Sequence, residues 1–172
     1  MTGADVLIRT FWESDAVAVR RLFIDVNRAL APTEMAGAFE AYIERSLAEE
    51  MDRVAAYYAE KGGGFWVAVS GDDLMGMFGL EPSEKGVELR RMYTHPSARR
   101  RGVARRMLAR AEAEGRRMGA ARLDLSTSEL QRAALGLYRS AGYEMVREGV
   151  AETASNKTLG GGLRRYHFAK ML

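Results

Sequence analysis

The residues best suited to chemistry lie together where a strand pattern gives way to a helix pattern. Leu89-Arg90-Arg91-Met92-Tyr93-Thr94 leads through His95-Pro96 into Arg99-Arg100-Arg101-Gly102-Val103-Ala104. Pro96 has no N–H to give a ladder and helps terminate the strand. Gly102 lacks a Cβ, so a bulky ligand can approach the backbone closely, and Ala104 is almost as small. The first amides of the following helix have no intrahelical partner, and with the helix dipole they form an anion site. Arg99, Arg100, Arg101, Arg105 and Arg106 surround that site with positive charge, an arrangement that suits a pyrophosphate. The same residues also describe a merely basic helix start. The turn lacks the Gly-rich run and Lys-Ser/Thr of a P-loop and the three spaced glycines of a dinucleotide fingerprint.

Composition narrows the setting of this junction. The chain has 172 residues, 47% apolar and 28% charged, which reads as one globular domain over residues 1–172. No apolar run is long enough for a membrane span, and Met1 to Phe11 does not read as a signal peptide, so the expected location is cytoplasmic. Cysteine is absent and there are only two histidines, so no disulfide, thiol nucleophile or metal site is expected. The net charge is only +3, yet Leu89 to Ala111 holds eight arginines and no acid. Such a local positive field concentrates a multiply charged anion, either a phosphate-bearing cofactor or nucleic acid.

The elements that must position the junction follow from periodicity. Val6 to Phe11 reads as a first strand, and Ser14 or Asp15 as a cap for a helix over about Ala16 to Leu30. Thr33 is a candidate cap for a second helical segment from about Glu34 to Lys61. In it Phe39, Ile43, Leu47, Met51, Val54 and Tyr58 share one face, with a bend near Glu49-Glu50 as the alternative to one long helix. Gly62-Gly63-Gly64 stops it. Phe65 to Val69, Leu74 to Leu80 and Gly86 to Thr94 read as an antiparallel meander. A helix from Val103 to about Gly119, a strand Ala121 to Ser126, a helix Gln131 to Ala141 and a strand Tyr143 to Arg147 follow. Gly149 to Gly162 reads as a loop and Leu163 to Leu172 as the last strand. Strand–helix–strand units in the second half argue for local parallel pairing, giving a mixed α/β sheet with helices on both faces.

Arg99-Arg100-Arg101-Gly102-Val103-Ala104 resembles the Arg/Gln-x-x-Gly-x-Gly/Ala signature of the GNAT superfamily of acyl-CoA-dependent N-acetyltransferases. Glu88 to Pro96 resembles the family's approach to that turn. Ala134, Leu137-Tyr138 and Gly142-Tyr143 match a second family motif. The likeness is strongest from Glu88 to Tyr143 and weak over Ala31 to Gly63. It implies a mixed, mostly antiparallel sheet of about seven strands, flanked by helices, whose central strands splay after a bulge in the fourth. It further implies acetyl-CoA as acyl donor. Arg99, Arg100, Arg101, Gly102, Val103, Ala104 and Arg105 would bind its pyrophosphate, and the backbone of Met92, Tyr93 and Thr94 its pantetheine arm. Tyr138 matches the family's usual proton donor to the departing thiolate, and Glu88 a common position for the base.

The expected reaction is direct acetyl transfer to a primary amine, without a covalent acyl-enzyme. Family resemblance puts acceptor recognition in Asn27 to Tyr58 and Gly149 to Gly162, where Glu34, Glu40, Glu44 and the acids near Glu49 offer charge to a cationic amine. His167, Asp124 and Ser126 are further candidates for the acceptor side, while His95 reads as shaping its turn. A small-molecule amine is the expected partner, with no nucleic acid and no membrane, and a homodimer is the common assembly for such proteins. Two other readings stand beside this one: an acyl-CoA-binding sensor without catalysis, and a nucleic-acid-binding module using Arg90 to Arg110.

Overall fold

A computed structural model describes residues 5–172; Met1 to Ala4, the start of the N-terminal stretch read above, lie outside the described residues. Seven strands form one sheet: β1 Leu7–Thr10, β2 Gly64–Ser70, β3 Asp73–Ser83, β4 Gly86–Thr94, β5 Arg122–Ser128, β6 Glu144–Ala151 and β7 Leu163–Met171, in the order β1-β2-β3-β4-β5-β7-β6. Every neighbouring pair is antiparallel except β4 and β5. The helices are α1 Ala16–Leu30, α2 Ala36–Ser46, α3 Val54–Lys61, α4 Val103–Arg117 and α5 Arg132–Ser140. This is the mixed, mostly antiparallel architecture expected above. Among the described residues no helix is long and apolar enough to cross a membrane.

Alternation along the strands builds two cores, one on each face. Trp66, Ala68, Phe78, Leu89, Leu123, Leu125 and Phe168 meet α4 and α5 through Val103, Met107, Leu108, Ala111 and Tyr138. Phe65, Val67, Val69 and Met77 point the other way, to α1, α2 and α3 through Val19, Phe23, Ile43, Leu47, Val54 and Tyr58. The apolar stripe of the second helical segment is buried throughout, and the segment does bend. A π-helical turn, Leu47–Met51, and a break at Asp52-Arg53 divide α2 from α3.

Three expectations are corrected. The unit β4–α4–β5 forms a parallel pair; β5 and β6 also run in the same direction but do not pair, because β7 inserts between them and pairs antiparallel with both. The loop begins later than Gly149, since β6 runs on to Ala151 against Leu163. Neither Asp15 nor Thr33 caps a helix through its side chain: Asp15 instead accepts from the Trp12 N–H at 2.7 Å and from Arg9, and a short 3-10 turn, Thr33–Met35, precedes α2.

The π-helical turn has a purpose that composition hides. Glu50 is fully buried, and its carboxylate accepts from Arg90 Nη2 at 2.8 Å, from Arg91 Nε and Nη2 at 3.0 Å each, and from the Tyr58 hydroxyl at 2.8 Å. Arg90 also reaches Glu81 Oε2 at 2.7 Å and Tyr57 Oη at 2.6 Å. Two guanidiniums and two carboxylates therefore balance inside the protein. Tyr58 reaches Glu50 by lying across Gly79, where a Cβ would stand 2.4 Å from the Tyr58 hydroxyl oxygen. Replacing one member of such a set leaves buried charge without a counterion. Glu50→Ala should lower unfolding free energy by about 3–5 kcal/mol, measured by equilibrium denaturation in urea.

Candidate functional site

The site begins where β4 departs from regular pairing. Opposite β3, Gly79 pairs with Arg90 and Met77 with Tyr93, so Arg91 and Met92 together face the single residue Phe78. This is a β-bulge, and Arg91 takes a positive φ of 55°. The bulge lets two successive residues, Arg90 and Arg91, both reach Glu50. Beyond it the two parallel strands part. β4 and β5 pair only at Val87–Leu123 and Glu88–Asp124, although β4 continues to Thr94 and β5 to Ser128.

The resulting gap holds a cavity of about 100 Å³, with Glu88 to Tyr93 on one wall and Leu125 to Ser128 on the other. Tyr138 reaches it from the α5 side. Its ring is buried against Tyr143 and Phe168, and its hydroxyl finds no hydrogen-bond partner among the described residues. Burial, with a smaller push from Tyr93, raises the Tyr138 phenol above its ordinary range. Its side chain lines the gap.

At the far end of β4, Pro96–Ala98 form a short turn, braced by the Ser97 N–H donating to His95 Nδ1 at 3.1 Å. Arg99, Arg100 and Arg101 then pass over the surface, and Gly102 adopts a left-handed φ of 73° to start α4. The N–H groups of Arg101 through Arg105 find no acceptor among the described residues, and the direction of a Cβ on Gly102 is open space. Val103 is buried and fixes the helix, while Ala104 is half-buried. This set of oriented donors, flanked by guanidiniums, fits an oxyanion such as a pyrophosphate.

The arginine run is less uniform than the sequence implies. Arg90 and Arg91 are buried and neutralised, so they add nothing to a surface field. Arg106 and Arg110 donate to the Val6 and Ile8 carbonyls, at 2.8 and 2.9 Å, and Arg105 to Ser140 Oγ at 2.9 Å. Arg99, Arg100 and Arg101 remain exposed beside the turn. Of the acids expected to attract an amine, Glu50 is committed to the interior and Glu40 to Arg28.

On the face opposite α4 and α5, helices cover β2 to β4 but leave β5, β7 and β6 open. A second cavity, about 610 Å³, lies there over Glu88, Asp124, Ser126, Arg147, Arg165 and His167. Residues 152–162 roof it. The Asn156 carbonyl accepts from Arg91 Nη2 at 2.5 Å, and Leu159 packs with Phe39 and Leu163. Lys157 reaches down to Glu88 Oε2 at 3.0 Å and lines both cavities. Glu88, Met92, Tyr93 and Tyr138 thus meet at one gap, and the turn from Arg99 to Arg105 lies past its open end. Arg165 and Lys157 were not singled out from sequence. Arg165 shares the alternation of His167 on β7, which was the available signal; Lys157 sits in patternless sequence and gave none.

Comparison with known proteins agrees with this fold. The family model described as acetyltransferase (GNAT) family matches residues 31–143. Human N-acetyltransferase 8 is 30% identical over 110 residues, which are 60% of this chain and 48% of that protein. The chain spans about half the length of several curated relatives that it matches. A Thermoplasma acidophilum PaiA N-acetyltransferase solved in complex with coenzyme A superposes with a TM-score of 0.74 at 17% identity, covering 98% of this chain and 99% of that one. The putative acetyltransferase YncA of Salmonella typhimurium, solved with acetyl-CoA, gives 0.73 at 19% identity, covering 98% and 94%. At these identities the structural likeness speaks for the fold.

His167 offers a probe of the open face. Burial, then the positive charges of Arg147 and Arg165, lower its pKa from the ordinary 6.5, against a weaker opposing pull from Glu88 and Asp124. The folded protein therefore binds this proton less readily than the unfolded chain. The neutral ring's stabilising share is present above the ordinary histidine range and is lost as pH falls through the lower folded value. An NMR titration should place the His167 midpoint below 6.5, and Arg147→Ala should move it up.

Proposed function

The chain belongs to the acetyltransferase (GNAT) family, and on that premise we propose that it transfers the acetyl group of acetyl-CoA directly to a primary amine of a small molecule. The observation that carries this reading is the conjunction of a splayed β4–β5 gap with an unpaired run of backbone donors at its open end. Bound there, acetyl-CoA would supply an acetyl thioester. The protein's own residues would do the rest.

The amides of Arg101 to Arg105 hold linked phosphates, helped by the exposed Arg99, Arg100 and Arg101. Along the splayed edge of β4, the backbone of Met92, Tyr93 and Thr94 faces no partner strand on the β5 side, and is free to orient the pantetheine arm. A backbone donor directed at a developing oxyanion is worth roughly 3 kcal/mol. Glu88 accepts a proton from the acceptor ammonium, directly or through water, once Lys157 moves aside. Tyr138 keeps its proton until a leaving sulfur needs it, which is the role that its raised pKa supports. Alignment in the gap supplies several kcal/mol more, by order of magnitude.

The roofed cavity supports an acceptor of small-molecule size. Its volume of about 610 Å³ falls in the ordinary range for such ligands. This is the specific ground for preferring a small amine.

Titration calorimetry tests the cofactor side. Wild-type protein should bind acetyl-CoA with one-to-one stoichiometry. Gly102→Asp should weaken it at least tenfold through steric and charge conflict, with only a modest drop in thermal midpoint from the left-handed φ, which aspartate adopts more readily than most residues, since the side chain meets open space there. Wild-type protein silent at high micromolar acetyl-CoA would end the proposal.

Tyr138→Phe tests the chemistry. Removing a positioned proton donor should lower kcat roughly 10²-fold or more, with acetyl-CoA affinity nearly unchanged. Saturable binding with no turnover across a broad amine panel would leave the sensor reading instead.

A further inference from the structure

The acids of the gap and of the open face are almost all engaged, and one half-buried cation between them is not. Glu88 takes Lys157, Asp124 takes Arg122 through both oxygens, and Glu50 takes Arg90 and Arg91. Arg165 on β7 lies among Tyr42, Tyr93, Glu88 and Arg91 and lines both cavities. Among the described residues no carboxylate stands within salt-bridge distance of its guanidinium. Its one side-chain hydrogen bond is to Ser126 Oγ, at 2.8 Å. Desolvation lowers its pKa, and the opposing pull of Tyr42, Tyr93 and Glu88 offsets that cost only in part.

A guanidinium has five donors in a planar fork, and the fork suits an oxyanion bound through two oxygens. Arg165 spends one donor on a hydroxyl. Its neighbours extend the positive field: Arg147 stands against His167 Nε2 at 3.1 Å, and the Lys157 ammonium lies above. Register places the anion near the reacting end. Ser126 pairs with His167 and Ser128 with Arg165, two and four residues beyond Asp124, which is the last β5 residue to pair with β4. Arg165 therefore stands beside the parted strands, on the side away from α4 and α5.

We infer that Arg165 is the binding residue for an oxyanion carried by the acceptor itself, so that the acceptor is a small amine bearing a carboxylate or phosphate near its amino group. The amine then lies toward Glu88 and the gap, while the oxyanion lies on Arg165. The acceptor's ammonium also replaces that of Lys157 at Glu88. This rests on the N-acetyl transfer proposed above and narrows its substrate.

The test compares paired acceptors: L-amino acids, aminoalkylphosphonates, and the amines that lack the acidic group. With wild-type protein, kcat/KM should favour the acidic member ten- to a hundredfold, the range of a charge-assisted forked hydrogen bond. In Arg165→Gln that ratio should collapse toward one, chiefly through KM of the acidic member, and Arg165→Lys should restore part of it. A readout without turnover accompanies this. Millimolar inorganic phosphate or an N-acetylated amino acid should raise the wild-type thermal midpoint more than that of Arg165→Gln. Wild-type protein that acetylates amines with no preference for the acidic member overturns the inference and leaves acetyl transfer standing. So does an unchanged ratio in Arg165→Gln. Failure to bind acetyl-CoA in calorimetry is a separate result, and it removes both.

Discussion

The buried carboxylate of Glu50 is the interaction on which the rest of the structure depends. Arg91 occupies a left-handed backbone position that a β-bulge ordinarily gives to glycine, a conformation costing a non-glycine residue on the order of 1–3 kcal/mol. That conformation persists because both Glu50 oxygens grip the Arg91 guanidinium, one through Nε and one through Nη2. Arg90 is drawn to the same carboxylate from the preceding position. The bulge turns β4 out of register with β3 and away from β5, which opens the gap. Arg91 also donates to the Asn156 carbonyl, so one guanidinium holds both the parted strand and the roof above it. The site's shape is thus set by an ion cluster one layer beneath it.

The sheet divides labour between its faces. One face is apolar across its whole width and is covered by α4 and α5; it presents the turn at Gly102 and the Tyr138 hydroxyl. The other is apolar only over β2 to β4, where α1, α2 and α3 pack, and polar over β5, β7 and β6. No helix covers the polar part, whose lining includes Asp124, Ser126, Arg147, Arg165 and His167. The gap between β4 and β5 opens beside that uncovered area. A donor reaching from the α4 side and an acceptor resting on the polar side would meet there. That geometry favours direct transfer, since no residue would have to carry the acyl group across.

Legibility in the sequence followed physical range. Strands and helices with strong periodicity, such as Phe65 to Val69 and Val103 to Gly119, were readable because burial on one face fixes their period. The turn at Arg99 to Ala104 was readable as anion chemistry, and as a family signature once Tyr138 and Tyr143 were set beside it. The bulge was expected through the family alone: Arg91 carries no local sign of a positive φ, whose cause is Glu50, distant in sequence. Arg90 and Arg91 looked like two more members of a basic patch for the same reason, since composition cannot tell a buried ion pair from a solvated charge. Pairing of β5 with β7 rather than β6 is a choice among long-range partners, and local pattern leaves it open. The segment 152–162 has no periodicity, and its position comes from Asn156, Lys157 and Leu159 meeting elements far away in the chain.

Charge accounting then separates structural arginines from functional ones better than exposure does. Arg90, Arg91 and Arg122 each face a carboxylate, so removing the cation would strand an acid, and their presence needs no ligand to explain it. Arg99, Arg100 and Arg101 are exposed, where water offsets their charge at little cost, so their reach toward a phosphate is an opportunity and not a necessity. Arg165 belongs to neither group. It is half-buried yet has no acid within salt-bridge distance, and its pKa is lowered where those of Arg90 and Arg91 are raised. A protein under pressure for stability alone would gain by replacing such a residue with a neutral one of similar volume. The cation makes physical sense when the missing negative charge arrives from outside, beside the gap where an amine must also sit.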